Sequence, residues 1–178
     1  MWEIGPPGGF FKKSELPVTD ATPLLLGEFS RKVDERNRLA LPSELADLFK
    51  PTDGDCILVK ERPGLVSLWD RATSKTRQDD RIGLIRQRLK IGKLDEQISE
   101  LQMLGRLLST RERPVQMDQK GRFVIPEGFR EFLGIEGGGE LMVVGAMVCI
   151  EIWHPEKWIA YIEEEIPRFP ELLTRLSG

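Results

Sequence analysis

The chain has 178 residues, 40% hydrophobic and 31% charged, which is enough apolar material to build a core in one large domain or two small ones. With 26 basic and 29 acidic residues the net charge is −3, so the chain as a whole is no polyelectrolyte binder of phosphate backbones, and a nucleic-acid site must be a local basic patch. The longest nearly apolar run, Leu141 to Trp153, is interrupted by Glu151 and falls short of the roughly 20 residues of a membrane-spanning helix.

Met1 to Lys13 has no apolar stretch of the secretory kind, and a cytoplasmic protein is expected. The two cysteines, Cys56 and Cys149, lie apart in strand-like runs and read as small core residues. The single histidine, His154, has no nucleophile spaced around it and cannot build a multi-histidine metal site. No catalytic group, metal site, cofactor or small-molecule substrate is expected.

Residues 1–22, rich in Gly and Pro and without periodicity, predict a disordered extension. Beyond them the chain repeats itself. Asp34-Glu-Arg-Asn-Arg38-Leu-Ala-Leu-Pro42 returns 84 positions later as Asp118-Gln-Lys-Gly-Arg122-Phe-Val-Ile-Pro126, and Leu68-Trp69 returns as Ile152-Trp153. Each unit reads strand, tight turn, strand, short helix, strand, strand. A strand enters the motif (Gly27 to Val33; Val115 to Met117), and a turn follows whose last residue, Asn37 or Gly121, tolerates positive φ.

A second strand (Arg38 to Leu41; Arg122 to Ile125) ends at Pro42 or Pro126, which suits a helix start. Ser43 to Phe49 and Glu127 to Leu133 then carry apolar residues at helical spacing. After the glycine loops come two apolar strands per unit: Cys56 to Lys60 with Val66 to Trp69, and Leu141 to Val144 with Val148 to Trp153. Their turns fall at Arg62-Pro63-Gly64 and Gly145-Ala146.

Between the units, Arg71 to Arg111 predicts two helices broken at Gly92, and its stretch 71–93 carries eight basic residues against two acidic ones. That stretch reads either as a solvated face or as a subsidiary phosphate-contacting surface. Residues from Pro155 onward predict an amphipathic closing helix with Trp158 and Tyr161 at helical spacing.

The two Asp-x-x-x-Arg motifs, with their flanking Pro, helix and Trp, resemble the MraZ family over about Leu24 to Ile162. The resemblance implies a mixed α+β, mainly β fold made of two tandem AbrB-like (SpoVT-like) swapped-hairpin β-barrel units. These would occupy 23–70 and 112–154, joined by the helical connector 71–111 and followed by the helix 155–178. It also implies a DNA-binding transcriptional regulator that sits on the nucleoid, reads repeated promoter boxes of the division and cell-wall gene cluster, and assembles into a ring-like homo-oligomer.

The signature residues that carry over are Asp34, Arg38, Asp118 and Arg122, with Arg36 and Lys120 inside the turns. A two-stranded ribbon can enter the major groove, where an arginine takes guanine O6 and N7 as a bidentate pair. Arg31, Lys32, Arg36 and Lys120 are the candidate phosphate contacts, and each Asp, four residues before its Arg, can orient the guanidinium. The alternative for each Asp–Arg pair is a brace for its turn. Asn37 departs from the glycine of the family pattern, and the extension 1–22 goes beyond the usual family start. Alternative functions are an AbrB-like antitoxin whose tail engages a toxin, and an interaction scaffold without DNA binding.

Overall fold

The computed structural model describes residues 22–90, 92, 97–135 and 138–178, with the backbone alone at 76–81. The expected disorder of 1–22 therefore falls, but for Thr22, outside the described residues. The strand-strand-helix-strand-strand order of both repeats is present. The first repeat supplies β1 (Leu25–Lys32), β2 (Arg38–Ala40), α1 (Ser43–Ala46), β3 (Asp55–Arg62) and β4 (Leu65–Asp70). The second supplies β5 (Glu112–Gln116), β6 (Arg122–Val124), α4 (Glu127–Leu133), β7 (Glu140–Met147) and β8 (Ile150–Trp153). The connector forms α2 (Arg71–Lys90) and α3 (Ile98–Arg111), with Gly92 at φ 68° between them, as the glycine predicts.

Three strands from each repeat interleave in one antiparallel six-stranded sheet of order β1-β7-β8-β4-β3-β5, while β2 and β6 pair with each other in a separate ribbon. Shifting every strand by the 84-residue repeat reverses this order onto itself, so the chain has an internal pseudo-twofold axis. The register locates the axis: Leu39 faces Phe123 in the ribbon and Ser67 faces Glu151 in the sheet, and each pair is its own repeat equivalent. A single core fills the space between sheet, ribbon, α1 and α4. It contains Leu39, Leu41, Leu45, Leu58, Val66, Leu68, Phe123, Ile125, Phe129, Leu133, Leu141, Ile150 and Ile152, so neither repeat closes its apolar surface without the other. The free edge at β5 carries Pro114, which lacks the N–H that would recruit another strand.

Several expected boundaries move. The turn expected at Gly145-Ala146 lies instead at Val148-Cys149, because β7 runs on to Met147 to pair with all of β1, Leu25 opposite Met147. Gly145 is needed within that strand: a Cβ there would sit 2.5 Å from the Leu26 nitrogen. The helix expected over Ser43 to Phe49 stops at Ala46; α4, its repeat equivalent, runs to Leu133 and ends in a left-handed Gly134 cap that α1 lacks. The single closing helix is two, α5 (Pro155–Glu165) and α6 (Phe169–Ser177), joined by a 3-10 turn at Ile166–Arg168 where Pro167 and Pro170 break the periodicity. Trp158 and Tyr161 do share the face of α5 that packs on Trp153, with ring centroids 5.3 and 4.9 Å from it.

Candidate nucleic-acid interface

The two repeat turns have the same geometry bond for bond. In the first, Asp34 Oδ1 accepts the backbone N–H groups of Arg36 (2.9 Å) and Arg38 (2.8 Å), and its Oδ2 accepts Arg38 Nε at 2.8 Å. In the second, Asp118 Oδ1 accepts from Lys120 N (2.9 Å) and Arg122 N (3.0 Å), and Oδ2 from Arg122 Nε at 2.8 Å. The residue that closes each turn is left-handed, Asn37 at φ 59° and Gly121 at φ 71°, so asparagine fills the glycine role in the first copy without changing the turn. The backbone N–H of each Arg, then its guanidinium, holds the Asp carboxyl below the usual carboxylate range, and both aspartates stay ionised at neutral pH. Each aspartate is thus a turn brace and an arginine clamp at once.

Antiparallel pairing brings the two arginines together. Arg38 lies opposite Val124 and Arg122 opposite Ala40, so all four side chains share one face of the β2–β6 ribbon, and the buried Leu39 and Phe123 point to the other. As diagonal neighbours the arginine Cα atoms stand roughly 7–8 Å apart. Each Asp grips its Arg from the Nε side, with Arg122 Nη2 also 2.8 Å from Asp118 Oδ2, and Nη1 of both guanidinium groups has no partner among the described residues. The two arginine side chains are 30% and 36% exposed, so each guanidinium is held by its aspartate on a half-buried stem and keeps Nη1 donors to spare.

The turns flank this face. Asn37 O accepts from Ile125 N and Gly121 O from Leu41 N, so the turns cap opposite ends of the ribbon, four residues apart along it, or about 13 Å. Arg36 and Lys120 are exposed within the turns. Arg31 and Lys32 stand on β1 at the mouth of the first turn; Arg31 Nη1 donates to the Ser30 carbonyl at 2.8 Å and its guanidinium lies 5.8 Å from the Phe29 ring centre, while Lys32 is exposed opposite Glu140. Their repeat equivalents, Val115 and Gln116, are uncharged, so the positive charge is heavier at the first turn. On α2, Arg71, Lys75, Arg86, Arg88 and Lys90 are exposed; the side chains of Arg77 and Arg81, and Lys93, lie outside the described residues.

Sequence reasoning missed the outward pair Ala40 and Val124, although the alternation of a three-residue strand puts Val124 beside Arg122 on one face. It also missed a polar chain on the internal axis. Trp69 Nε1 donates to Ser67 Oγ (2.8 Å), Ser67 Oγ to Glu61 Oε1 (2.6 Å), and Arg111 Nη2 to Glu61 Oε2 (2.9 Å), which ties the end of α3 to β3. The repeat equivalent is Trp153 Nε1 donating to Glu151 Oε2 at 2.8 Å, and burial pushes the Glu151 carboxyl up. Among the described residues no group of three His, Cys, Asp or Glu side chains could hold a metal ion, and no helix is long and apolar enough to cross a membrane.

Known proteins are similar to this chain in sequence. The family model for MraZ, by its description an antitoxin-like protein, matches residues 109–175, the whole second repeat with α5 and most of α6. Curated relatives align through both repeats. The transcriptional regulator MraZ of Thermomicrobium roseum is 27% identical over 154 residues, 86% of this chain and 98% of the relative. That of Thermus thermophilus is 29% identical over 85% of this chain and 98% of the relative, and that of Clostridium acetobutylicum 26% over 80% and 90%. The chain is therefore similar to MraZ proteins, at below 30% identity to each of these relatives. The resemblance carried by the two Asp-x-x-x-Arg turns thus extends over most of the chain.

Proposed function

We propose that this protein is a DNA-binding transcriptional regulator that docks the outward face of the β2–β6 ribbon into the major groove. Its targets on this reading are repeated boxes in the promoter of the division and cell-wall gene cluster. The observation that carries the reading is the pair of arginines on one ribbon face, each clamped on its Nε side with Nη1 donors to spare. A guanidinium held that way keeps the fork that matches guanine O6 and N7, and the clamp removes rotamer entropy before DNA arrives. Arg36, Lys120, Arg31 and Lys32 around the ribbon suit phosphate oxygens, which set register without reading sequence. The names of the MraZ relatives agree with the class of function.

On this reading 23–70 and 112–154 are two swapped-hairpin units that exchange strands across the internal axis, and the protein works in the cytoplasm on the nucleoid. Two turns on an acidic chain give modest affinity, so tandem boxes engaged by a ring-like homo-oligomer would raise effective concentration. The exposed apolar side of α6, Phe169, Leu172, Leu173 and Leu176, is the surface that favours assembly, and it equally suits the toxin of an antitoxin reading. The test is a mobility-shift titration of the full chain against the organism's own division-cluster promoter and a scrambled duplex of equal length, at two salt concentrations. Preference for the promoter that persists at higher salt is expected; equal binding to both duplexes, fading together with salt, refutes sequence-specific regulation.

A further inference from the structure

Val124 is the residue of the ribbon face that the packing leaves unexplained. It is 49% exposed in the middle of the chain's arginine-bearing surface, whereas its strand neighbour Phe123 is 1% exposed beneath it. It stands directly opposite Arg38, which puts the two Cβ atoms about 4.5–5.5 Å apart on the same face. Successive bases on one DNA strand are separated by about 3.4 Å. A ribbon seated so that Arg38 takes a guanine therefore brings the Val124 methyl groups against an adjacent base step. The one apolar feature that the major groove offers is the thymine 5-methyl group.

We infer that Val124 is a specificity-determining residue that reads a thymine methyl beside the guanine taken by Arg38. The inference rests on the DNA-binding reading above. The repeat equivalent of Val124 is Ala40, opposite Arg122, whose single methyl stops short of the reach of a valine. Readout is therefore unequal across the internal axis: the half of the site under Arg38 and Val124 discriminates thymine from cytosine, and the half under Arg122 and Ala40 discriminates guanine without a methyl contact. The turn tips add to the difference, since Glu35 in one corresponds to Gln119 in the other, both exposed.

The test uses duplexes selected by the full wild-type chain from a randomised pool and rebuilt with deoxyuridine, which lacks only the 5-methyl group, at each thymine in turn. One deoxyuridine next to a selected guanine is expected to weaken wild-type binding about fourfold, the loss of one buried methyl. Val124→Ala is expected to bind the thymine duplex with that same loss and to be indifferent to the deoxyuridine. Val124→Thr keeps a β-branched methyl and retains the sensitivity, which separates readout from strand propensity. Thermal melts of both variants should match the wild type, because the side chain is half exposed. If deoxyuridine changes nothing anywhere, or weakens Val124→Ala as much as wild type, the methyl contact is overturned while guanine selection by the arginines stands. If the wild type selects no sequence at all, the DNA-reading proposal and this inference fall together.

Discussion

Leu39→Ala tests the pairing that brings the two halves of the candidate interface together. Leu39 is fully buried and sits on the internal axis facing Phe123, itself 1% exposed. The substitution removes three carbons, worth about 2.4 kcal/mol at ~0.8 per carbon. The cavity it leaves, walled by strands of both repeats and unable to collapse without parting them, adds about 1–2 kcal/mol. A total near 3.5 kcal/mol lowers the melting temperature by roughly 7–14 °C in a chain of this size. Phe123→Ala should cost about 3–5 kcal/mol alone. Because the two side chains share one cavity, the double variant should be milder than the sum, with a coupling of about 0.5–3 kcal/mol by urea denaturation. Additivity within about 0.4 kcal/mol would mean the side chains do not meet, and with that the β2–β6 ribbon and the shared arginine face would be wrong.

Four further outcomes are expected. Gly121→Ala forces a Cβ into the left-handed region and to 3.1 Å from Ala46 Cβ, and should cost about 1–2 kcal/mol, whereas Asn37→Gly, at a turn of equal geometry, should change denaturation midpoints little. Glu151 is raised above its ordinary 4.5 by burial and then by nearby Glu61, against the lowering effects of the Trp153 N–H and Arg62. Below pH 4.5 the group is protonated in both states and neutral to stability; as pH rises through its raised folded value the fold pays to ionise it. Glu151→Gln, which still accepts from Trp153, should therefore melt higher than wild type at pH 7, with the gap closing near pH 4. Arg62 stacks over Trp153 and Tyr161 at 4.9 and 4.8 Å, so Arg62→Ala should loosen α5 by about 1–2 kcal/mol and shift tryptophan emission to the red. Leu173→Glu, on the exposed face of α6, should leave the melting temperature within about 1 °C and shift sedimentation toward smaller species if that face joins copies.

The duplicated motif made much of this architecture legible in the residues themselves. Asn37 and Gly121 called for left-handed turn ends, Pro42 and Pro126 for strand ends, Gly92 for a broken connector, and each is found so. What local patterns could not convey is partner choice. Nothing in Arg38 to Leu41 says that it pairs with the equivalent strand 84 residues on, because strand pairing across repeats is decided by which arrangement closes a common core. The misplaced β7–β8 turn has the same origin. Gly145-Ala146 reads as a turn until β1 is known to lie alongside, at which point the missing side chain of Gly145 becomes a clearance for the Leu26 backbone. The Asp–Arg clamp was legible as spacing, but the spare Nη1 donors and the common face of both arginines follow only from the ribbon.

The internal axis accounts for how an acidic chain can hold a face that carries two arginines. Residues on the inner side of the ribbon must pack against their own equivalents, so Leu39 and Phe123 are both large and apolar. Residues on the outer side of the ribbon and around its turns are free of that pairing, and there the two copies diverge, Ala40 against Val124 and Glu35 against Gln119, as do Arg31 and Lys32 against Val115 and Gln116 on the strands that enter the turns. The arginines escape that freedom because each also closes its turn through the aspartate four residues earlier. On the DNA-reading proposal folding and recognition draw on the same ion pair, and truncating either aspartate to alanine should cost turn order and arginine pre-orientation together. Asp118→Asn separates the two: its amide oxygen can still accept the backbone N–H groups of Lys120 and Arg122, but without a charge to hold the guanidinium. The expected result is a melting curve close to wild type with guanine selectivity reduced at the Arg122 half of the site, read from competition between matched and substituted duplexes. Unchanged selectivity in a folded Asp118→Asn chain would mean that the clamp serves the turn alone.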